Sequence, residues 1–308
     1  MLYLGEADVG ELLASTDAID TVEASFERRA RGVVESGLVQ HLPLPDGRFA
    51  LSGCVDRELG YAGMRSEVDA SGGAGSVLLL YSLSSERFEA ILAGSRLGGL
   101  CAGAVSAVAA RYLAPERAQS LGVIGCGWLA ASHVACLRAA IPTLERVVVH
   151  CRDARRLGRF CAELDCRAAD SGQEAARQDV VVTATRSPDP VLRGEWLDRG
   201  SLVCAAGATD LARRELDNAV LARASFVCCD SRVQSEASAG DLVEPIAQGV
   251  LDWLEVYELQ EVIVGTVHGR TLPEDVVVFK STGTAASELA LGVRVFERAR
   301  GGGVGLQL

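Results

Sequence analysis

The stretch that most constrains this chain is Leu121-Gly122-Val123-Ile124-Gly125-Cys126-Gly127-Trp128-Leu129-Ala130, with Val147 to His150 following some 20 residues after the turn. A short apolar run enters a glycine turn, and the turn opens a helix running to about Ala140. Together these give G-x-G-x-x-A inside a β-α-β unit. Gly125 allows the tight turn, Gly127 lets backbone approach a pyrophosphate, and the small Ala130 lets the helix pack on its strand. The positive end of that helix then meets the phosphates. Trp128 and Leu129 fill the first helical positions. A glycine-rich turn in some other α/β domain is the alternative.

Apolar strands alternate with helices on both sides of this unit. Strands are expected at Leu121–Ile124, Val147–His150, Val180–Ala184, Leu202–Ala206, Phe226–Cys229 and Val276–Lys280. Strands buried on both faces read as unbroken apolar runs, so the expected sheet is parallel and covered on both sides. Before Pro115 the pattern differs. An amphipathic helix over Asp17–Arg31 precedes strand runs at Leu38–Leu44, Phe49–Cys54, Tyr61–Val68, Val77–Tyr81 and Phe88–Leu92, broken at Pro45–Gly47, Asp56–Arg57, Asp69–Gly75 and Ser82–Arg87. That is an antiparallel meander, and a small-residue helix over Leu97–Leu113 follows it. After Gly283 a last helix covers Thr284–Arg300. At 308 residues the chain has room for about two domains of ~150 residues. The expected division is 1–115 with 284–308, and a dinucleotide-binding domain over 116–283.

Composition narrows the partners. Hydrophobic residues make up 49% of the chain and charged residues 23%, enough for a sizeable core. The net charge of −11 and the lack of a basic block argue against nucleic acid. No apolar run approaches the ~18 residues of a membrane span. The first residues carry neither a basic nor an apolar targeting segment, which points to the cytoplasm. The ten cysteines form no C-x-x-C pair, so buried, reduced thiols are expected, and no metal site.

With its elements in this order, the chain resembles the ornithine cyclodeaminase/mu-crystallin family along nearly its whole length. The resemblance rests on the helix before the glycine turn, Thr183-Ala184-Thr185-Arg186-Ser187, Ala205-Ala206-Gly207-Ala208, Gly240-Asp241-Leu242 and Phe279-Lys280-Ser281-Thr282-Gly283. It implies a Rossmann domain and a discontinuous α+β domain carrying substrate residues and a dimer interface, with chemistry at the cleft between them. It also implies Asp241 as catalytic acid. Thr183, Ala184, Thr185, Ser187, Ala206, Gly207, Ala208, Lys280 and Gly283 would then line the cofactor.

Departures from the family pattern matter as much. Family members hold an α-amino acid carboxylate with a Pro-x-Arg segment, a Gly-x-Lys strand and an Arg-Thr-Ala-Ala helix start. Here those places read Val39-Gln40-His41, Gly63-Met64-Arg65 and Cys101-Ala102-Gly103-Ala104. A bidentate arginine–carboxylate pair is a strong contact that Cys101 cannot replace. Arg65 and His41 are the candidate catalytic partners of Asp241, and Met64, Glu67 and Cys101 the candidate pocket. An internal ion pair between Arg65 and Glu67 or Asp69 stays open.

Cofactor choice turns on the end of the second strand, where an acid binds the ribose hydroxyls and repels a 2′-phosphate. Cys151 fills that place and Arg152 follows, which favours NADP(H) over NAD(H), with Asp153 as the competing feature. The leading expectation is an NADPH-dependent reductase of a C=N bond, or the reverse amine oxidation. Its substrate would lack a free α-carboxylate and be a small molecule or carried on a peptide or carrier. A cyclodeaminase recycling NAD and a non-catalytic NADPH-dependent binder are the alternatives.

Overall fold

The computed structural model describes residues 1–70 and 73–308. The chain forms two compact units, Met1–Cys101 with Thr284–Leu308, and Ala102–Gly283. The division falls inside the helix that precedes the glycine turn, and not at Pro115.

The first unit is built on a sheet with strand order β16-β1-β7-β6-β5-β4-β2, and β3 pairs with β4. Its strands are β1 (Leu2–Leu4), β2 (Val34–Ser36), β3 (Gln40–Leu44), β4 (Gly47–Asp56), β5 (Tyr61–Ala70), β6 (Gly73–Ser82), β7 (Arg87–Ala93) and β16 (Leu306–Gln307). Strands β4 to β7 are antiparallel neighbours, the expected meander, although β3 starts later than Leu38 and β2 is a separate short strand. Part of the expected Asp69–Gly75 turn lies outside the described residues. The helices are α1 (Glu6–Leu12), α2 (Ser15–Ala30), α3 (Ser95–Leu113), shared between the units, and α11 (Ala285–Gly302). Helix α11 packs on α2 and lies across β4, β5 and β6. It buries Leu289, Val293 and Phe296, with Thr284 as its N-cap.

The second unit is a sheet in which every pairing is parallel, ordered β10-β9-β8-β11-β12-β15-β13-β14. The strands are β8 (Ser120–Ile124), β9 (Arg146–His150), β10 (Arg167–Ala168), β11 (Val180–Thr183), β12 (Leu202–Ala205), β13 (Phe226–Cys229), β14 (Val256–Glu258) and β15 (Val277–Lys280). Helices α4 (Trp128–Ala140), α5 (Ala154–Leu164), α6 (Gly172–Ala176), α7 (Asn218–Arg223), α8 (Arg232–Ser238), α9 (Gly240–Ala247) and α10 (Leu259–Ile263) connect them. Strands β8, β11, β12, β13 and β15 are buried along their whole length, as their unbroken apolar sequences require. The chain runs outward from β8 to β10, then returns to β11 on the other side. That reversal is a topological switch point of the doubly wound kind, and ligands bind at the carboxyl ends of the strands beside it. The architecture is therefore α/β, a Rossmann domain and a discontinuous α+β domain.

Candidate active site

The glycine turn sits at the switch point. Gly125 adopts φ +126°, and a Cβ there would collide with the carbonyl oxygen of Ala184 at the end of β11. Only glycine takes this conformation without strain while letting two strand ends close on each other. Its N–H donates to the His150 carbonyl at 2.9 Å, and the Ala184 N–H donates to the Ile124 carbonyl at 2.9 Å. Gly127 is the N-cap of α4; no side chain caps that helix end, and nothing lies within 4 Å of where a Cβ would stand. Trp128 is exposed, while Ala130 is buried against the sheet and serves packing. A bare, open helix N-terminus behind a glycine turn fits a dinucleotide pyrophosphate.

Beyond β9 the chain differs from expectation. Cys126, in the middle of the turn, and Cys151, the first residue after β9, form a disulfide. The expectation of ten reduced thiols fails at this pair, because the turn brings residues 25 apart to a Cα–Cα distance of 5.9 Å, within the bridging range of about 4.4–6.8 Å. Arg152 is exposed. Asp153 is the N-cap of α5, its Oδ1 accepting from the N–H groups of Arg155 and Arg156 at 3.0 and 3.1 Å.

Three buried carboxylates organise the loops at the carboxyl edge, and two of them escaped notice in the sequence. Glu215 accepts from Thr183 Oγ1 (2.9 Å), Thr185 N (2.6 Å), Thr185 Oγ1 (2.7 Å) and Gly207 N (2.7 Å). Burial pushes its carboxyl above the usual range, against the pull of Lys280. Asp230 accepts from Ser281 Oγ, Thr282 N, Thr282 Oγ1 and Gly283 N at 2.8–2.9 Å. The third is Asp241. Its Oδ1 accepts from the N–H groups of Glu215 and Leu216 at 2.6 and 2.9 Å, and its Oδ2 faces Lys280 Nζ at 2.9 Å. Lys280 also donates to the Ala208 carbonyl at 2.6 Å.

These contacts correct several expected roles. Asp241 and Lys280 are wholly buried and paired with each other, so neither is open to solvent; both brace the loop after β12. Thr183 is likewise sealed, and its hydroxyl belongs to Glu215. Thr185, Ser187, Ala184, Ala206, Gly207, Ala208 and Gly283 do lie at the carboxyl edge. Asp210, in the loop after β12, is partly exposed on that edge and lies 3.2 Å from Arg213.

In the first unit Arg65 sits on β5 between two carboxylates, Glu67 at 2.6 Å and Glu288 of α11 at 2.7 Å. Burial opposes its charge but the flanking carboxylates outweigh that and raise its pKa. Burial pushes the Glu288 carboxyl up, with Arg65 pulling it back. The internal ion pair left open in the sequence is present, through Glu67 and Glu288. Cys101 is buried on α3 and belongs to the same neighbourhood. Met64 does not. Successive strand residues point to opposite faces, so Met64 lies on the face away from Arg65 and is exposed. His41 is exposed on β3, opposite Ala50 of β4.

Comparison with known proteins agrees with this architecture. Residues 2–303 match the ornithine cyclodeaminase/mu-crystallin family. An alanine dehydrogenase of Archaeoglobus fulgidus is 29% identical over 318 residues, covering 100% of this chain and 98% of that protein. A Δ1-pyrroline-2-carboxylate reductase of Bacillus cereus is 30% identical over 237 residues, covering 74% of this chain and 72% of that protein. The crystal structure of the iminosuccinate reductase of Paracoccus denitrificans in complex with NAD+ superposes with a TM-score of 0.91 at 28% identity, covering 99% and 98% of the two chains. With the glycine turn at the switch point, the parallel sheet and a match over almost every residue, this chain belongs to the ornithine cyclodeaminase/mu-crystallin family.

Proposed function

We propose that this protein is an NADPH-dependent reductase of carbon–nitrogen double bonds whose small-molecule substrate lacks a free α-carboxylate. The observation that carries the reading is the open helix N-terminus of α4 behind the Gly125 turn. The similarity to reductases of cyclic and acyclic imines supports the reaction class. When bound, the nicotinamide supplies a hydride to the imine carbon.

The chain's own residues do the rest. The N–H groups of the first turn of α4 hold the pyrophosphate. NADPH is preferred over NADH because Cys151 stands where an acid would bind the ribose diol, while exposed Arg152 meets the 2′-phosphate. Asp153 does not oppose this, since its carboxylate is spent on capping α5. With Asp241 enclosed, Asp210 is the carboxylate that holds the protonated substrate nitrogen and keeps the carbon electrophilic. Arg65 is already engaged by Glu67 and Glu288, so it makes a poor clamp for a substrate carboxylate.

The test is NADPH absorbance against a panel of cyclic imines, α-keto acids with amines, and basic amino acids. Turnover of an imine without a carboxylate is expected, and Asp210→Asn should lower kcat while leaving NADPH affinity in place. Arg152→Ala should weaken NADPH by about 1.5–3 kcal/mol, the range of a charged hydrogen bond, and leave NADH nearly unchanged. Tighter binding of NADH refutes the cofactor preference. Ammonia release from ornithine restores the cyclodeaminase, and tight NADPH binding without turnover leaves a binder.

A further inference from the structure

We propose that Cys126 and Cys151 are a redox modification site that opens and closes the dinucleotide site, a proposal that rests on the dinucleotide reading of the glycine turn. Cys126 lies between Gly125 and Gly127, and Cys151 occupies the strand end where a ribose would be read. Bonded to each other, they stretch a pair of sulfurs from the turn to that strand end and tie the turn to β9. The ribose hydroxyls, and the phosphate that Arg152 would meet, need the same ground. As thiols, the two side chains can part and release it.

Their surroundings single them out. The other eight cysteines form no disulfide, and seven of those are buried. Burial pushes the Cys204 thiol up to about 12 and those of Cys228 and Cys229 higher than usual, which leaves them unreactive. Cys126 and Cys151 are half-buried and within reach of solutes. Cys126 immediately precedes the N-cap of α4, and Cys151 precedes exposed Arg152.

The chemistry balances with a small-molecule disulfide as oxidant. The thiolate of Cys126 attacks one sulfur of that disulfide and expels a thiolate, giving a mixed disulfide. The thiolate of Cys151 then attacks the Cys126 sulfur and expels the second thiolate, which takes up a proton. Two protein thiols are oxidised and one small disulfide is reduced to two thiols. A dithiol reverses both steps. Because binding and bonding compete, bound dinucleotide must in turn protect the pair from oxidation.

The experiment uses the full chain, once kept in dithiothreitol and once treated with oxidised glutathione. Peptide mapping after alkylation reads the Cys126–Cys151 bond, and titration calorimetry reads the Kd for NADPH and for NADH. The expected result is a bonded form with at least tenfold weaker NADPH affinity, recovered in dithiothreitol, and slower bond formation when NADPH is present. Cys126→Ser and Cys151→Ser should each make the affinity indifferent to oxidised glutathione. Equal affinities in the two forms, or no Cys126–Cys151 peptide after oxidation, overturn the proposal alone. A reduced chain that binds neither nucleotide overturns it together with the dinucleotide reading.

Discussion

The His133 imidazole on α4 is held at both nitrogens, Nδ1 2.8 Å from the Leu129 carbonyl and Nε2 3.0 Å from Ser106 Oγ. A carbonyl can only accept, so Nδ1 donates and Nε2 accepts from the serine hydroxyl. A second proton would turn that acceptor into a donor and place a charge where nothing is exposed. Burial accordingly lowers the pKa from 6.5 to about 4. The sign follows from proton counts: between those two values the unfolded chain binds a proton that the native chain refuses. Stability from this group is complete above the unfolded pKa of 6.5 and falls as pH drops towards 4. The loss is about 3 kcal/mol for a shift of this size. Urea unfolding at about pH 7.5 and about pH 4.5 should show it, and His133→Asn should remove that share of the pH dependence. Identical pH dependence in the two proteins would show that His133 does not carry it. The contrast with Arg65 is instructive, since a charge on that residue survives only because two carboxylates share it.

The loops at the carboxyl edge are shaped by elements that reach far along the chain. Lys280 ends β15, Asp241 begins α9 and Glu215 precedes α7, yet one polar network joins them. Truncating one member of a buried ion pair leaves the other charge stranded, at a cost of about 3–5 kcal/mol. Lys280→Met should therefore lower stability by that amount in urea unfolding, and adding Asp241→Asn should recover part of it. If the double variant is no better than the single one, the pair does not carry the coupling. This network also marks how far the sequence could be read. The strands β8, β9, β11, β12, β13 and β15 announce themselves as apolar runs, and the turn at Gly125 by its spacing. The strands β1, β2, β14 and β16 are too short to carry a period. Asp241 and Lys280 were legible as special residues, but burial decides between bracing and catalysis, and burial is set by partners 26 and 39 positions away. Glu215 and Asp230 have no local signature, for their donors come from other loops. Cys126 and Cys151 belong to no spacing motif, and only the closure of β8 against β9 makes them neighbours.

At the scale of the whole molecule, the described residues of the first unit leave one face of its sheet without a helix. Helix α11 lies over the face that carries Gly63, Arg65, Leu78 and Leu80. The alternate residues of the same strands turn the other way: Leu51 on β4, Met64 and Val68 on β5, Val77 and Leu79 on β6. Their register sets Gly53 opposite Met64 and Phe49 opposite Val68 on one side, and Met64 opposite Leu79 and Ser66 opposite Val77 on the other. Met64, Val68 and Val77 are 46%, 36% and 37% exposed. A contiguous apolar sheet face on a chain with a net charge of −11 is unlike a surface evolved to stay in water. Among the described residues no helix is long and apolar enough to cross a membrane. A second copy is the cover we expect: a two-fold axis through this face would cover both copies at once. Stable pairing needs about 800 Å² from each partner, which a four-strand face of this length can offer. We therefore expect a homodimer through this face, seen as twice the chain mass by light scattering at micromolar concentration. Met64→Lys puts a charge at the centre of that face without touching the α11 side, so it should shift the protein to monomer and leave the far-UV circular dichroism unchanged. A native chain that scatters as a monomer, or a Met64→Lys variant that stays a dimer, would mean that this face is covered by something else.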